Sequence, residues 1–309
     1  MSNSEAQGKV RDLSHPNGDW NHHYLDVNGA KLHYVDEGEG LPIFLLHGWP
    51  EFWWTWHRNL SVLSKEFRVI VPDLRGFGKS IITLGAGSTP TGADTHAQDI
   101  IALADSLGLK RFGIVSHDVG AYVSQQLTRM WPERVSGLFF FNAPYPGVGR
   151  RWVQARHIQE IWYQTFNQLP WAAKLVGYDR NTCRLYFENM LSHWAHDPNT
   201  FTEQLEHWID NFMQPGNLEG GFAWYAANHA SRIALIEHGA PILPKISVPS
   251  RFFWGRHDPV LLCDWVDRLP EYFDQPIIEI AENAGHFVHF EQPAASNDRI
   301  RDFFHSLKE

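Results

Sequence analysis

Three residues of this chain have the types that nucleophilic catalysis requires: Asp118, Asp258 and His286. Asp118 stands in the turn Ser116-His117-Asp118-Val119-Gly120, between a short apolar run over 111–116 and a helical pattern from Val119 to Met130. A strand, a sharp turn and a helix form the elbow that presents a nucleophile, usually written G-x-S-x-G. Here the nucleophile position holds an aspartate. Ser116 cannot take its place, because that would need glycines where Ile114 and Asp118 stand. On this turn alone Asp118 reads equally well as a helix N-cap, a position that aspartate favours. Asp258, in Trp254-Gly255-Arg256-His257-Asp258-Pro259, and His286, in Asn283-Ala284-Gly285-His286-Phe287, alter that balance. Each follows a predicted strand. An acid that orients an imidazole, and an imidazole that takes a proton from water, are the partners such a nucleophile needs.

A carboxylate nucleophile narrows the chemistry. A serine alkoxide suits an acyl carbon, whereas a carboxylate displaces a leaving group at a saturated carbon and leaves an alkyl ester of the enzyme. Asp118 therefore points to an epoxide or a carbon–halogen bond. Already ionised, it does not need His286 for the first step. His286 instead takes a proton from the water that attacks the ester, while Asp258 fixes its tautomer and stabilises the imidazolium.

The elements that must hold these residues alternate between strand and helix. Residues 22–27 and 30–35 flank Asn28-Gly29, a hairpin signal. Runs at 42–46, 67–71, 111–116 and 135–141 read as strands of a parallel sheet buried on both faces. Helical stretches are predicted near 52–64, at 94–108 with Ile100, Leu103, Ala104 and Leu107 on one face, and at 119–130. Residues 81–93, rich in Gly, Thr and Pro, read as loop. The alternation stops near Pro144. Residues 146–238 carry helical patterns and many aromatics without a convincing strand, and are too long for a loop. Strands resume at 250–254 and 276–280, and a last helix spans 293–306. The pattern predicts an α/β core of residues 1–145 and 239–309 with right-handed crossovers, and a helical cap of residues 146–238. Asp118, Asp258 and His286 then fall on loops at the carboxyl ends of strands, where open parallel sheets place their ligands.

Composition excludes other classes. The net charge of -9 argues against nucleic acid or an anionic membrane as partner. No apolar run suits a membrane span, and the first twenty residues lack the apolar stretch of a signal peptide. Cys183 and Cys263 suggest no disulfide framework and point to a reducing, cytoplasmic compartment. Gly76 and Gly78 form no dinucleotide fingerprint. No His/Cys/Asp cluster has metal-ligand spacing, so neither metal nor cofactor is expected, and the expected partner is a small-molecule substrate. The 14 tryptophans and 20 phenylalanines suggest an aromatic-lined pocket.

Taken together, HGWPEFWWTWHRNL, DLRGFGKS, SHDVGAY, WGRHDP and AGHFVHFEQP resemble signatures of the α/β-hydrolases of the epoxide hydrolase and haloalkane dehalogenase group. The resemblance runs from about residue 22 through nearly the whole chain, and the order nucleophile, acid, histidine is the same. It implies a mostly parallel eight-stranded sheet with helices on both faces and an inserted helical cap. It also implies an oxyanion hole at the backbone N–H groups of Trp49 and Val119, and allows a homodimer. Pro50, without an N–H, cannot donate.

Epoxide hydrolases of this group hold the epoxide oxygen with two cap tyrosines. Phe222-Ala223-Trp224-Tyr225 resembles the second segment and makes Tyr225 a candidate. Ile161-Trp162-Tyr163 resembles the first, in a register that puts Trp162 at the tyrosine position and Tyr163 one residue along. An indole there, a donor only, could face a halide instead. The Trp49 ring and His157 are further candidates for touching substrate. Fluoroacetate dehalogenases carry arginines shortly after the nucleophile, whereas this chain has none until Arg129, although Arg150, Arg151 or Arg156 could substitute from the cap. Haloalkane dehalogenases usually place Trp after the nucleophile and Asn or Glu after His-Gly, where this chain has Val119 and Trp49. These features favour an epoxide hydrolase. A hydrolytic dehalogenase with the same triad is the alternative, and a non-catalytic receptor of the same fold the third reading.

Overall fold

The structure is a computed structural model that describes residues 11–82 and 92–307. Most of the expected loop at 81–93, and the first ten residues of the polar N-terminal stretch, lie outside the described residues. A two-residue turn closes the first hairpin, β1 (His22–Val27) on β2 (Ala30–Glu37), with Val27 opposite Ala30. Asn28 and Gly29 both take positive φ, 45° and 76°. The right-handed twist of the flanking strands selects that turn, and asparagine and glycine are the residues that tolerate it.

The remaining strands are β3 (Leu41–Leu46), β4 (Phe67–Pro72), β5 (Ile81–Ile82), β6 (Phe112–His117), β7 (Val135–Phe141), β8 (Ser250–Gly255) and β9 (Ile277–Ala281). They form one sheet in the order β1-β2-β4-β3-β6-β7-β8-β9, with the short β5 beside β2. β2 pairs antiparallel with β1 and β4, and every pairing from β4 through β9 is parallel. The eight expected strands are all present, and β5 is a ninth, at the start of a segment expected to be loop. The central strands are largely apolar because helices cover both faces: Phe112, Ile114, Val115, Phe139, Phe140 and Phe141 have no exposed surface.

The expected first helix is a 3₁₀ turn at Trp53–Trp56 running into α1 (His57–Leu63). α2 (Ala93–Ser106) buries Ile100, Leu103 and Ala104, with Leu107 packed against the same core. α3 (Val119–Met130) follows β6 directly. Between β7 and β8 the described residues form helices and no strand: α4 (Trp162–Phe166), α5 (Ala172–Val176), α6 (Arg180–Trp194), α7 (Leu205–Phe212), α8 (Asn217–Ala227) and α9 (His229–His238). Gly239, with φ of 81°, ends α9, and Pro241, Pro244 and Pro249 keep the return to β8 extended. Three helices complete the chain: α10 (Leu269–Tyr272), α11 (Val288–Glu291) and α12 (Pro293–Ser306). Among the described residues no helix is long and apolar enough to cross a membrane. Both cysteines are free.

Candidate active site

β6 ends at His117 and α3 begins at Val119, so Asp118 alone makes the turn, with φ of 44° and ψ of -111°. Positive φ is uncommon for a residue with a side chain and persists where the surroundings impose it. Here the turn is pressed against the end of β3. A Cβ on Gly120 would stand 2.4 Å from the Leu46 carbonyl oxygen, and one on Gly48 would stand 2.5 Å from the Asp118 Cβ. The Asp118 side chain does not cap α3, since it reaches no amide beyond the first residue of the helix. Its Oδ1 accepts the Trp49 N–H at 2.9 Å, and the Val119 amide also bonds the carboxylate. Burial lifts the Asp118 pKa above the ordinary carboxylate value, while His286, His117 and the two amides pull against that rise.

Asp258 lies in the loop after β8, with Oδ1 accepting from the amides of Val260 at 2.7 Å and Leu261 at 2.9 Å. Its Oδ2 accepts from the side-chain amide of Asn142 and faces His286 Nδ1 at 2.8 Å. Every contact fixes the carboxylate in one orientation. Asn142, just past β7 with φ of 36°, also accepts the Gly255 N–H at 3.0 Å. Burial lowers the His286 pKa, but the charges of Asp258, Asp118 and Glu51 and the bond to Asp258 outweigh it and push the imidazole up to about 9.

A buried hub joins these loops from below. Glu51 Oε2 accepts the Gly48 N–H at 2.7 Å and faces His117 Nδ1 at 2.7 Å. Glu51 Oε1 accepts the Thr55 hydroxyl at 2.6 Å and lies 3.1 Å from His289 Nε2. His117 Nε2 donates to the His286 carbonyl at 2.9 Å. Burial opposes the Glu51 charge, yet His117 and His289 hold its carboxyl well below the ordinary range. Sequence spacing gave no sign that Glu51, His117 and His289 bring their polar atoms within 4.8 Å of one another. Glu51 and His117 are already bonded together, so the cluster serves as a hydrogen-bonding hub.

Asp118 opens into a cavity of about 1010 Å³, whose walls include Tyr122, Trp152, Tyr163, Trp224 and Tyr225. A second cavity of about 1070 Å³, between Tyr24, Phe52, Lys79 and Asn211, contains none of Asp118, Asp258 and His286. Tyr163 on α4 and Tyr225 on α8 meet with ring centroids 5.7 Å apart and planes at 88°. Burial holds both phenols above their usual range and the Asp118 charge adds to the rise, so both remain protonated donors. The Gln164 side chain donates to the Tyr163 oxygen at 3.2 Å, which leaves the phenolic hydrogen free for another acceptor.

Other candidates fall elsewhere. Trp162, put at the tyrosine position by resemblance, is 45% exposed and lies against Phe166 and Tyr186, away from the cavity. The register is one residue off, and Tyr163 is the side chain turned inward. The Trp49 indole does not line the cavity either. It is enclosed by Phe187, Phe212 and Phe222 and supports Tyr225 edge-on at 5.7 Å. His157 is fully buried off the cavity, with its ring nitrogens 3.0 Å from the Trp152 carbonyl and 2.8 Å from the Val260 carbonyl. Arg151 pairs with Asp267 and Arg156 with Asp264, while Arg150 binds the carbonyls of Ile236 and Glu237.

The family model described as the alpha/beta hydrolase fold matches residues 42–293. The chain belongs to the α/β-hydrolase family. Within that family it is 31% identical to a soluble epoxide hydrolase from Corynebacterium sp. (strain C12), over 93% of this chain and 98% of that protein. It is 29% identical to epoxide hydrolase 4 from Homo sapiens, over 91% of this chain and 78% of that one. The solved structure of epoxide hydrolase CorEH without ligand superposes with a TM-score of 0.81 at 29% identity, covering 93% of this chain and 99% of that one. Cfl2 wild-type from Burkholderia cenocepacia gives 0.79 at 28% identity, covering 92% and 95%.

Sequence reasoning on this α/β-hydrolase missed three residues at the site: Glu51, Asn142 and Arg232. Trp194 packs on both Tyr163 and His286, and its carbonyl accepts the His286 N–H at 2.8 Å. Arg232 lines the cavity. Glu51 stands directly after His-Gly-Trp-Pro, where its position was the one available signal.

Proposed function

We propose that this α/β-hydrolase opens an epoxide to a vicinal diol through an ester on Asp118. The observation that carries this reading is the pair of phenols, Tyr163 and Tyr225, in the same cavity as the Asp118 carboxylate. The epoxide oxygen accepts from the two phenols. Asp118 attacks a ring carbon in line, the carbon–oxygen bond breaks, and the departing oxygen takes a phenolic proton. Water then attacks the ester carbonyl as neutral His286 takes one of its protons, with Asp258 stabilising the imidazolium. The oxyanion formed at Asp118 is held by the amides of Trp49 and Val119, and losing one such donor typically costs about 2.7–4 kcal/mol of barrier. Collapse of that intermediate expels an alkoxide that takes the imidazolium proton to complete the diol, and the proton left on the Asp118 carboxyl returns to the phenolate, so Asp118, His286 and the tyrosine are restored and one water is consumed per epoxide. Similarity to proteins named epoxide hydrolase over more than nine-tenths of the chain supports the reading.

In this reading residues 146–238 act as a cap domain over a core of residues 1–145 and 239–309. The two free cysteines support a reducing, cytoplasmic setting. A homodimer is compatible with the family resemblance. The halide alternative loses its candidate indole, since Trp162 lies off the cavity. The test is a paired turnover assay on purified protein, with epoxides followed by diol formation and haloalkanes and haloacetates by free halide, and Asp118→Asn beside both. Diol without halide supports the reading, and halide without diol overturns it.

A further inference from the structure

His286 stands in a loop that is held at three successive amides. The Gly285 N–H donates to both carboxylate oxygens of Glu291, at 3.0 and 3.1 Å, and the Phe287 N–H donates to Oε1 at 3.0 Å. Between them the His286 N–H donates to the Trp194 carbonyl at 2.8 Å. The short helix α11 makes this possible. The Glu291 N–H bonds the Phe287 carbonyl at 2.8 Å, so a single turn folds the carboxylate back over the residues that precede it. Glu291 Oε2 also accepts the His196 N–H at 2.7 Å, from the segment just after α6. That segment lies directly against the loop. A Cβ on Gly285 would stand 2.3 Å from the Trp194 carbonyl oxygen and 2.7 Å from the His196 nitrogen.

Glu291 is half-buried, makes no ion pair among the described residues and does not line the cavity that holds Asp118. Burial lifts its pKa above the ordinary carboxylate value, and the amides of Gly285, His196 and Phe287 pull against that rise. A carboxylate has lone pairs for all of these donors, whereas a carboxamide has one acceptor oxygen and would turn an N–H toward one of them. The contacts so secured reach both steps of the reaction. The Trp194 ring packs on Tyr163, a donor to the epoxide oxygen, and on His286, the base of the second step. His286 Nε2 makes no hydrogen bond, and Nδ1 is held by Asp258. Esterification removes the Asp118 charge that attracts the imidazole, which leaves the Asp258 bond and the loop backbone to hold it.

We propose that Glu291 is a positioning residue for ester breakdown, tying the His286 loop to the end of α6 so that the base keeps its place against Asp118 once the ester has formed. The inference rests on the reading of Asp118 as the nucleophile toward epoxides. The test is rapid-quench single turnover with styrene oxide and 1,2-epoxyhexane, with ester followed by intact-protein mass spectrometry. Glu291→Gln is expected to form the ester at the wild-type rate and to break it down up to about 100-fold more slowly, the cost of a misplacement on the order of 1 Å. In a His286→Gln background the same change is expected to have no further effect on breakdown, because Glu291 acts only through that imidazole. Glu291→Asp, which keeps the charge on a shorter arm, is expected to show the same split and carries the test if Glu291→Gln does not fold. Breakdown at the wild-type rate in Glu291→Gln, or equal slowing of both steps, or an additive loss with His286→Gln, overturns the inference while the epoxide reading stands, because the ester has formed. Failure of wild type to form an ester with either epoxide overturns the reading itself.

Discussion

The Nε2 of His286 stands 4.0 Å from Oδ2 of Asp118 and makes no hydrogen bond. That is beyond the reach of a hydrogen bond, and the gap leaves room for a water or for the reacting carbon. The other ring nitrogen is held by Asp258 at 2.8 Å. An imidazole so placed does not activate Asp118, and its open nitrogen is available for the second step. The expected consequence is a stalled ester in His286→Gln. After mixing with an epoxide, intact-protein mass spectrometry should show a gain equal to the substrate mass, with turnover lowered about 10²–10⁴-fold. Asp118→Ala should show no adduct. Turnover near the wild-type rate in His286→Gln would remove His286 from the mechanism.

The phenols should act on the first step. Tyr225→Phe and Tyr163→Phe each delete one donor to the epoxide oxygen and leave the ring packing, including the 5.7 Å edge contact between them, in place. Each is expected to slow ester formation in single-turnover experiments about 10- to 100-fold, the span of a hydrogen bond to developing charge, with less effect on ester breakdown. Trp162→Phe serves as the contrast, since that indole lies off the cavity. If Trp162→Phe were slower than Tyr163→Phe, the inward register would be wrong.

His286 also gives the site a pH signature. Its pKa in the fold is about 9, above the ordinary 6.5. The stability it contributes is fully present below 6.5 and is lost as pH rises through about 9. The size is roughly 3 kcal/mol. Urea unfolding followed between those pH values should show wild type losing stability and His286→Gln losing much less. Esterification of Asp118 removes one of the charges that raise the pKa, so ester breakdown should accelerate with pH toward a plateau reached below 9. A pH-independent breakdown rate would contradict the base role.

Glu51 tests the hub. Its carboxyl is held below the ordinary 4.5, so its stabilising effect is present above 4.5 and lost as pH falls through the depressed value. Glu51→Ala leaves the Gly48 N–H, Thr55, His117 and His289 without their common acceptor. Removing one partner of a buried ion pair costs about 3–5 kcal/mol. Denaturation at neutral pH should show a loss of that order, and one below about 1 kcal/mol would mean that the other groups find partners of their own.

How far the site could be read from sequence depended on how local its determinants were. Asp118, Asp258 and His286 each follow a strand whose apolar run is self-evident, and parallel strands put such loops at one edge of the sheet. Tyr163 was put one position out because α4 is five residues long and its inward face is set by Trp194 and Tyr225 across the cavity, not by periodicity. His157 could not be placed from sequence, because a histidine satisfied by two carbonyls looks there like any other. Asn142 and Arg232 have no motif. One is defined by its bond to Asp258, and the other by the absence of any ion pair among the described residues.

One carboxylate, that of Glu51, accepts from or faces groups on the loop after β3, at the end of β6 and on α11, and His117 passes the connection on to the His286 loop. None of these segments can open alone without stranding a buried charge. Their amides should therefore exchange with solvent only when the whole core unfolds, as one cooperative unit. α9 is packed more lightly, for it carries no buried residue, and Arg150 holds its last turn through the carbonyls of Ile236 and Glu237. Asp118, Asp258 and His286 are thereby held in one rigid frame, beneath a cavity wall that α9 supplies from the surface.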